Sequence, residues 1–277
     1  MEIHIGDMVE KFIQFLLNNF QGFFDSQASG LNSFMDNLNY MLLTITPLFF
    51  IIGLSVIALI LVNKKTALFT ILGLLLIFQM NLWQMFIETF VLVIISTVIS
   101  LLIGIPIGIL MNKKRILDKI ITPVLDFMQT MPSFVYLIPA VMFFGIGNVP
   151  GIISTVIFSM PPAVRLTKLG LEQVPKELEE VGKSFGFNSI EMLYKIRIPL
   201  ALPSIMAGIN QSIMMALSMV VVASMIGTRG LGSQVLSGIQ RNDIGVGFEA
   251  GLAVVILAII LDRITRSLGV KTQSKNA

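Results

Sequence analysis

The sequence predicts an all-α membrane protein with about seven transmembrane helices. Of its 277 residues, 55% are hydrophobic and only 13% are charged, and the mean hydropathy is +0.88. These values lie far above those of soluble domains. Most of the apolar residues lie in long blocks with few or no charges, and most blocks reach the roughly 20 residues that cross a bilayer as a helix. The blocks are residues 42–62, 66–83, 84–111, 120–145, 149–164, 203–226 and 246–261.

An amphipathic helix is predicted ahead of the first block, from Asp7 to Phe24. Polar residues recur there every three or four positions, and apolar residues fill the other face. Four further apolar residues predict a second short helix of the same kind: Leu31, Phe34, Met35 and Leu38. Because this segment contains a single lysine, we favour a helix packed in the outer membrane interface or on the bundle. A regulatory role is the alternative.

The distribution of the cations predicts the orientation. With the segment from Arg165 to Arg197 in the cytoplasm and seven spans alternating, 16 of the 19 lysines and arginines lie inside. The positive-inside rule then places the N-terminus outside and the C-terminus in the cytoplasm of a multi-pass plasma membrane protein. The three outside cations are Lys11, Arg229 and Arg241. The net charge of +3 therefore reflects topology and does not indicate nucleic-acid binding.

The longest charged segment outside the blocks predicts a short helical hairpin. Pro175 suits the start of a helix, and the carboxylates that follow it suit the positive end of the helix dipole. We expect this helix to end at Gly186. Asn188, followed three residues later by Glu191, has the spacing of a capping box and starts a second helix. Two prolines are then expected to break the chain before the next span: Pro199 and Pro203.

The hairpin also resembles a known family motif. Glu180-Val181-Gly182, three residues, Gly186, nine residues and Ile196-Arg197-Ile198-Pro199 resemble the EAA-x3-G-x9-I-x-L-P loop of permease subunits in binding-protein-dependent ABC importers. Three small or apolar exchanges leave the spacing intact. The resemblance implies that the 175–195 loop couples the chain to a separate ATP-binding subunit. The residues implied to do so are Glu179, Glu180, Gly182, Gly186, Ile196 and Pro199.

The resemblance extends over most of the chain. Three segments look like the permease of glycine betaine and proline betaine importers: residues 128–132, 134–139 and 208–227. This implies a type I importer permease core that forms the pathway as a dimer, takes up an osmoprotectant and works with an extracellular binding protein. It divides the chain into amphipathic helices (1–41), two accessory spans (42–83), the permease core (84–268) and a cytoplasmic tail (269–277).

Nothing in the sequence predicts an enzyme or a metal site. The chain has no cysteine and a single histidine, so it offers no thiolate chemistry and no cluster of metal ligands. Gly182-Lys183-Ser184 ends like a nucleotide-binding P-loop, but Glu177 stands where that motif needs its first glycine. ATP and Mg²⁺ are therefore expected in the partner ATPase and no cofactor in this chain.

The candidate translocation residues lie mainly in the sixth block. They are Asn210, Gln211, Met214 and Ser218, together with Met131 and Tyr136 from the block at 120–145. Polar side chains in a span either bond helices together or line a path, and both interpretations stay open. Ser96, Ser100, Gly104 and Gly108 form a ridge of small residues that predicts close helix packing. Trp83 is expected to anchor at the membrane interface.

Two other classes of protein would also explain the spans. A secondary transporter or channel would act without ATP, but it would need ion-coupling carboxylates at the midplane or paired broken helices. A membrane anchor would explain the spans and the hairpin but not the polar sixth block. The permease subunit accounts for all three features.

Overall fold

The computed structural model describes residues 5–276, and the side chains of Asp7, Glu10, Lys11 and residues 13–269. The described chain is almost entirely helical. The helices are α1 (Ile5–Thr44), α2 (Pro47–Leu61), α3 (Lys64–Gln79), α4 (Trp83–Lys113), α5 (Arg115–Thr130), α6 (Leu137–Phe144), α7 (Asn148–Glu172), α8 (Lys176–Ser184), α9 (Ser189–Met192), α10 (Ile198–Ser224), α11 (Leu231–Arg241) and α12 (Ile244–Asn276).

Four helices in the described part of the chain are long and apolar enough to cross a membrane. They are α4, α7, a continuous helix from Ser189 to Ser224, and α12 as far as Gly269. Two bent pairs, α1 with α2 and α5 with α6, raise the number to as many as six. Helices α2 and α3 have 15 and 16 residues, which correspond to about 22–24 Å and fall short of the bilayer core. The structure thus supports four to six spans, and seven stays a prediction.

Helix α1 differs from the two short helices predicted for the N-terminal segment, because it is one continuous helix of 40 residues. The polar stretch that ends at Gly30 does not break it. A glycine inside a helix costs only about 1 kcal/mol, which tertiary packing can offset. Met35, five residues further on, is 1% exposed against the main apolar core.

The sequence predicts a single span over the block at 120–145. In the structure this block is not one straight helix. Helices α5 and α6, with a short 3₁₀ turn from Ser133 to Tyr136 between them, meet at 110°. The cause is Pro132, since a residue before proline is pushed out of the helical region. Met131 accordingly has φ −68° and ψ 136°. The chain therefore turns sharply in the middle of the apolar block.

The predicted ridge on α4 is confirmed, and it packs on α7. The hydroxyl groups of Ser100 and Ser159 lie 2.8 Å apart. A Cβ atom at Gly108 would lie 2.6 Å from the carbonyl oxygen of Val164 and 2.8 Å from the Cβ atom of Thr167. Small residues at these positions therefore allow the two backbones to approach closely.

Trp83 does not lie at the surface as an anchor, because it is only 9% exposed. Its ring lies 5.6 Å from Phe50 of α2 and 5.4 Å from Phe86 of α4, between ring centroids. Phe78 of α3 completes the contact at 6.3 Å. The pairs with Phe50 and Phe78 are edge-to-face, and the pair with Phe86 is tilted at 31°. Aromatic pairs in such offset arrangements stabilise a core beyond their buried area. The cluster fixes the accessory helices α2 and α3 to the beginning of α4.

Candidate functional site

The hairpin that carries the family motif, residues 175–197, is called the motif hairpin here. Its first helix, α8, ends in a Schellman motif: the N–H of Phe187 donates to the carbonyl of Gly182, and the N–H of Gly186 donates to the carbonyl of Lys183. Gly186 has φ +78°, a conformation that favours glycine. The predicted end of α8 at Gly186 is therefore confirmed to within two residues.

The second half of the motif hairpin begins with the predicted capping box. The Asn188 side chain accepts from the N–H groups of Ile190 and Glu191, and the Glu191 carboxylate accepts from the N–H of Asn188. The capping box is confirmed, but the predicted break at Pro199 and Pro203 is wrong. A wide π turn over Leu193–Arg197 leads straight into α10, so that the helix is continuous from Ser189 to Ser224.

The π turn explains why Pro199 does not interrupt this helix. Pro199 has no N–H to donate, and its ring would clash with the carbonyl four residues earlier in a regular helix. In the structure, the N–H of Ile198 donates to Leu193, five residues back, so that the backbone is wider here. The second half of the motif hairpin and α10 therefore form one continuous helix.

Gly182 allows the two halves of the motif hairpin to pack together. It is buried, and a Cβ atom there would lie 2.6 Å from Cδ1 of Ile196 and 2.8 Å from Cε of Met192. Nearby, Nε of Arg197 lies 2.8 Å from Oε1 of Glu179 in an ion pair. The same guanidinium donates to Asn112 at the end of α4, at 3.3 Å. Helices α4 and α8 thus meet the π turn that precedes α10 at one point.

The outer surface of the motif hairpin is apolar and exposed. Phe185 is 76% exposed, Ile190 68%, Tyr194 66% and Val181 49%. Glu180 is also exposed. Ile190 and Tyr194 also line a cleft of about 760 Å³ between the hairpin and the end of α4. A hairpin fixed on its inner side and apolar on its outer side is suited to bind a protein partner.

The six candidate pathway residues fall into three environments: the exposed face of α10, the bend between α5 and α6, and the contact of α10 with α12. Gln211, Met214 and Ser218 lie on one exposed face of α10, one to two turns apart. Met131 lies at the bend between α5 and α6, and the turn that follows the bend packs against α10. Tyr136 is buried, and its hydroxyl donates to the carbonyl of Met128 across the bend. The Tyr136 hydroxyl therefore joins the two sides of the bend, and its part in a pathway stays a prediction.

Asn210 bonds helices together. Its Nδ2 donates to Asp262 of α12 at 2.9 Å, and its Oδ1 accepts from the Thr265 hydroxyl at 2.8 Å. Arg266 donates to the same Asp262 oxygen from one turn further along α12. The amide of Asn210 thus uses a donor and an acceptor to hold α10 against α12. Gln211, the next residue, points about 100° around the helix onto the exposed face.

Exchanging the charged and neutral members of this pair tests the contact. Asn210→Asp alone places two carboxylates side by side, and we expect it to lower the free energy of unfolding by about 1–3 kcal/mol. In the double variant, Asn210→Asp with Asp262→Asn, the amide donates in the opposite direction and stability should return. Thermal unfolding in detergent measures both variants. Equal stability of the single variant and the unaltered protein would contradict the contact.

At the end of the bundle opposite the motif hairpin, the turn that contains Gly147 and the turn that contains Ile226 are joined by hydrogen bonds. They are called the two tied turns here. The N–H of Gly147 donates to the carbonyl of Ile226 at 3.0 Å, and the N–H of Arg229 donates to the Asn148 side chain at 3.0 Å. Helix α11 follows directly, between two of the predicted spans, where no helix was predicted. Its apolar residues recur at helical spacing, a signal that was available.

The described bundle and its motif define the class of the protein. The family of binding-protein-dependent transport system inner membrane components matches residues 100–271. The chain belongs to this family.

Two curated relatives and one solved structure narrow the comparison. The glycine betaine transport system permease protein OpuAB of Bacillus subtilis is 46% identical over 99% of this chain and 97% of that protein. The glycine betaine/carnitine transport permease protein GbuB of Listeria monocytogenes is 48% identical over 99% of this chain and 98% of that protein. A chain of the inward-facing MetNI methionine ABC transporter, 18% identical, matches with a TM-score of 0.62 over 67% of this chain and 93% of that chain. The type I importer permease fold is thereby confirmed.

Proposed function

We propose that this chain is the permease subunit of an ATP-driven importer for glycine betaine or a related quaternary ammonium osmoprotectant, acting as a dimer. The substrate class is supported by the glycine betaine permeases to which the whole chain is similar. The observation that carries the mechanism is the motif hairpin, which continues without a break into α10. The chain itself hydrolyses nothing, and ATP with Mg²⁺ is bound by a separate ATPase subunit.

The motif hairpin is the site where this subunit would bind. Its exposed face carries apolar side chains, among them Phe185 and Ile190, and the exposure of such a surface to water is unfavourable unless a partner covers it. Its inner face is held by the contact at Gly182 and by the ion pair between Glu179 and Arg197. A movement imposed on the outer face is therefore passed to α10 and is not lost as bending of the hairpin.

The pathway would run along the exposed face of α10. Gln211, Met214 and Ser218 present amide, thioether and hydroxyl groups on this face, which is open in a single copy of the chain. A second copy would close it, with Met131 and the exposed ring of Phe134 near the bend as further lining. Quaternary ammonium groups are commonly held by aromatic faces. Asn210 and Tyr136 would act indirectly, by fixing α12 and the bend.

The orientation follows from the cations. The motif hairpin and the basic residues at the ends of α4 and α12 would face the cytoplasm, and the turns at 145–150 and 227–230 would face outside. An outside N-terminus then requires an odd number of crossings. Seven crossings are obtained when the short helices α2 and α3 each cross once, in opposite directions, in addition to α4, the α5–α6 pair, α7, α10 and α12. Residues 1–41, 42–83, 84–268 and 269–277 stay our proposed divisions of the chain.

Reconstitution into liposomes tests the proposal. The chain is combined with nothing, with its ATPase, or with its ATPase and binding protein, and uptake of labelled glycine betaine is measured. We expect ATP-dependent uptake only in the complete system. Uptake by the chain alone under an ion gradient would identify a secondary transporter. No uptake in the complete system would overturn the proposal and favour a membrane anchor.

A further inference from the structure

Helix α1 has three distinct faces along its length. One face turns to the bundle and is buried or half-buried: Phe24, Leu31, Met35, Leu38 and Leu42. A second face is apolar and exposed, with Phe23 59%, Phe34 56% and Met41 56% exposed. A third is polar and exposed: Gln21, Asp25, Asn32 and Asp36. At 100° per residue, the apolar and polar faces lie on opposite sides of the helix, with the bundle-facing side between them.

This arrangement is that of a helix lying in a membrane surface with one flank against the bundle. The apolar face is suited to lipid, so the polar face is directed into water. Phe24 fixes the flank, since its ring centroid lies 4.7 Å from that of Phe143 and 5.7 Å from that of Phe144, at the end of α6. The polar face of α1 therefore keeps a fixed position beside the turn that joins α6 to α7.

The polar face borders a cleft of about 340 Å³. Asn32 and Asp36 of α1 form one wall, and Asn148 and Arg229, from the two tied turns, form the others. The side chains of Asp36 and Arg229 are exposed, and neither has an ion pair within the described residues. The cleft thus offers one free carboxylate and one free guanidinium, both directed to water.

We propose that this cleft and the adjoining polar face of α1 are a docking surface for the extracellular binding protein. The inference rests on the proposed function, which places the two turns outside. Charge complementarity then defines the partner surface: a basic side chain opposite Asp36 and an acidic one opposite Arg229. Lipid is not the occupant, because the lipid-facing side of α1 lies on the opposite side of the helix. The N-terminal helix therefore contributes to the recognition surface as well as lying in the membrane surface.

Charge reversal at Asp36 is the test. The complete permease–ATPase complex is placed in lipid nanodiscs, and binding of the substrate-loaded binding protein is measured at low and at physiological salt. For Asp36→Lys we expect binding about five- to tenfold weaker, mainly through slower association and more so at low salt. Asp7→Lys is the matched control, since Asp7 is exposed on the same polar face but about 43 Å along α1. It should bind like the unaltered complex.

The outcomes separate this inference from the proposed function. Failure of the binding protein to bind the unaltered complex would contradict the proposed function. Normal binding there, with equal affinity of Asp36→Lys and Asp7→Lys, would overturn the docking surface alone. If Asp36→Lys does not assemble, Asp36→Asn removes the charge at nearly constant shape and should weaken binding about twofold or more. Arg229→Glu gives an independent loss, and unchanged binding by both variants would also overturn the proposal.

Discussion

Gly182→Leu is expected to leave ATP hydrolysis running while uptake falls about tenfold or more. A tenfold fall corresponds to an activation free energy about 1.4 kcal/mol higher at the rate-limiting step of uptake. Any Cβ at position 182 would contact the ends of the Met192 and Ile196 side chains at 2.6–2.8 Å. Those flexible ends can move aside for one methyl group. A leucine needs more room, so we expect α8 to be pushed away from the π turn and the Glu179–Arg197 ion pair to be lost. The hairpin would then bind the ATPase but transmit its movement poorly.

The measurement is uptake per ATP hydrolysed in the complete reconstituted system. Gly53→Leu is a suitable control, because it adds the same side chain to a helix where a Cβ atom meets nothing within 4 Å. Gly186→Val should cause a similar loss by another route, since a β-branched residue at φ +78° strains the end of α8. Normal coupling in Gly182→Leu would show that the packing within the motif hairpin does not transmit the movement.

Gly108→Leu is expected to have the largest effect on stability. The contacts that a Cβ atom would make at this position include the backbone of α7, with the Val164 carbonyl oxygen at 2.6 Å. Unlike the side-chain ends around Gly182, a helix backbone cannot move locally, so α4 and α7 must separate. We expect a loss of about 3 kcal/mol in the free energy of unfolding and a reduced yield of folded protein.

Thermal unfolding in detergent, followed by loss of a monodisperse peak, measures this effect. Gly251→Leu provides the comparison, since it lies in the apolar helix α12 with nothing within 4 Å of a Cβ atom. It should unfold near the temperature of the unaltered protein. Equal unfolding of Gly108→Leu and Gly251→Leu would mean that α4 and α7 do not pack as closely as described.

Local signals in the sequence predicted the motif hairpin well. The capping box at Asn188 and the glycine turn at Gly186 depend on backbone bonding within a few residues, so the sequence contains all the information they need. The small-residue ridge on α4 was predictable for a similar reason, because its spacing alone defines a smooth face. Its partner α7 was not predictable, since the sequence of neither helix shows which other helix it packs against.

Tertiary contacts decided the features that the sequence analysis missed. Two short helices were predicted in the N-terminal segment, yet α1 is continuous, with Met35 and its neighbours packed on the bundle. Pro132 turns the chain by 110°, whereas Pro199 does not, because the π turn before it widens the helix. Proline alone therefore does not predict a break. Among the candidate pathway residues, only the structure separates Gln211 on the exposed face from Asn210 in the contact with α12.

The central claim is that a separate ATPase drives this permease through the motif hairpin, and site-directed cross-linking tests it most directly. Because the chain has no cysteine, a single introduced cysteine can carry a photoreactive label at one chosen position. The two positions are Ile190, in the hairpin and 68% exposed, and Ile244, at the opposite end of the bundle and 84% exposed. The variants are Ile190→Cys and Ile244→Cys. We predict that illumination joins the label at 190 to the ATPase subunit and blocks uptake, while the label at 244 forms no such product. Absence of an ATPase product at 190, or equal products at both positions, would contradict the account.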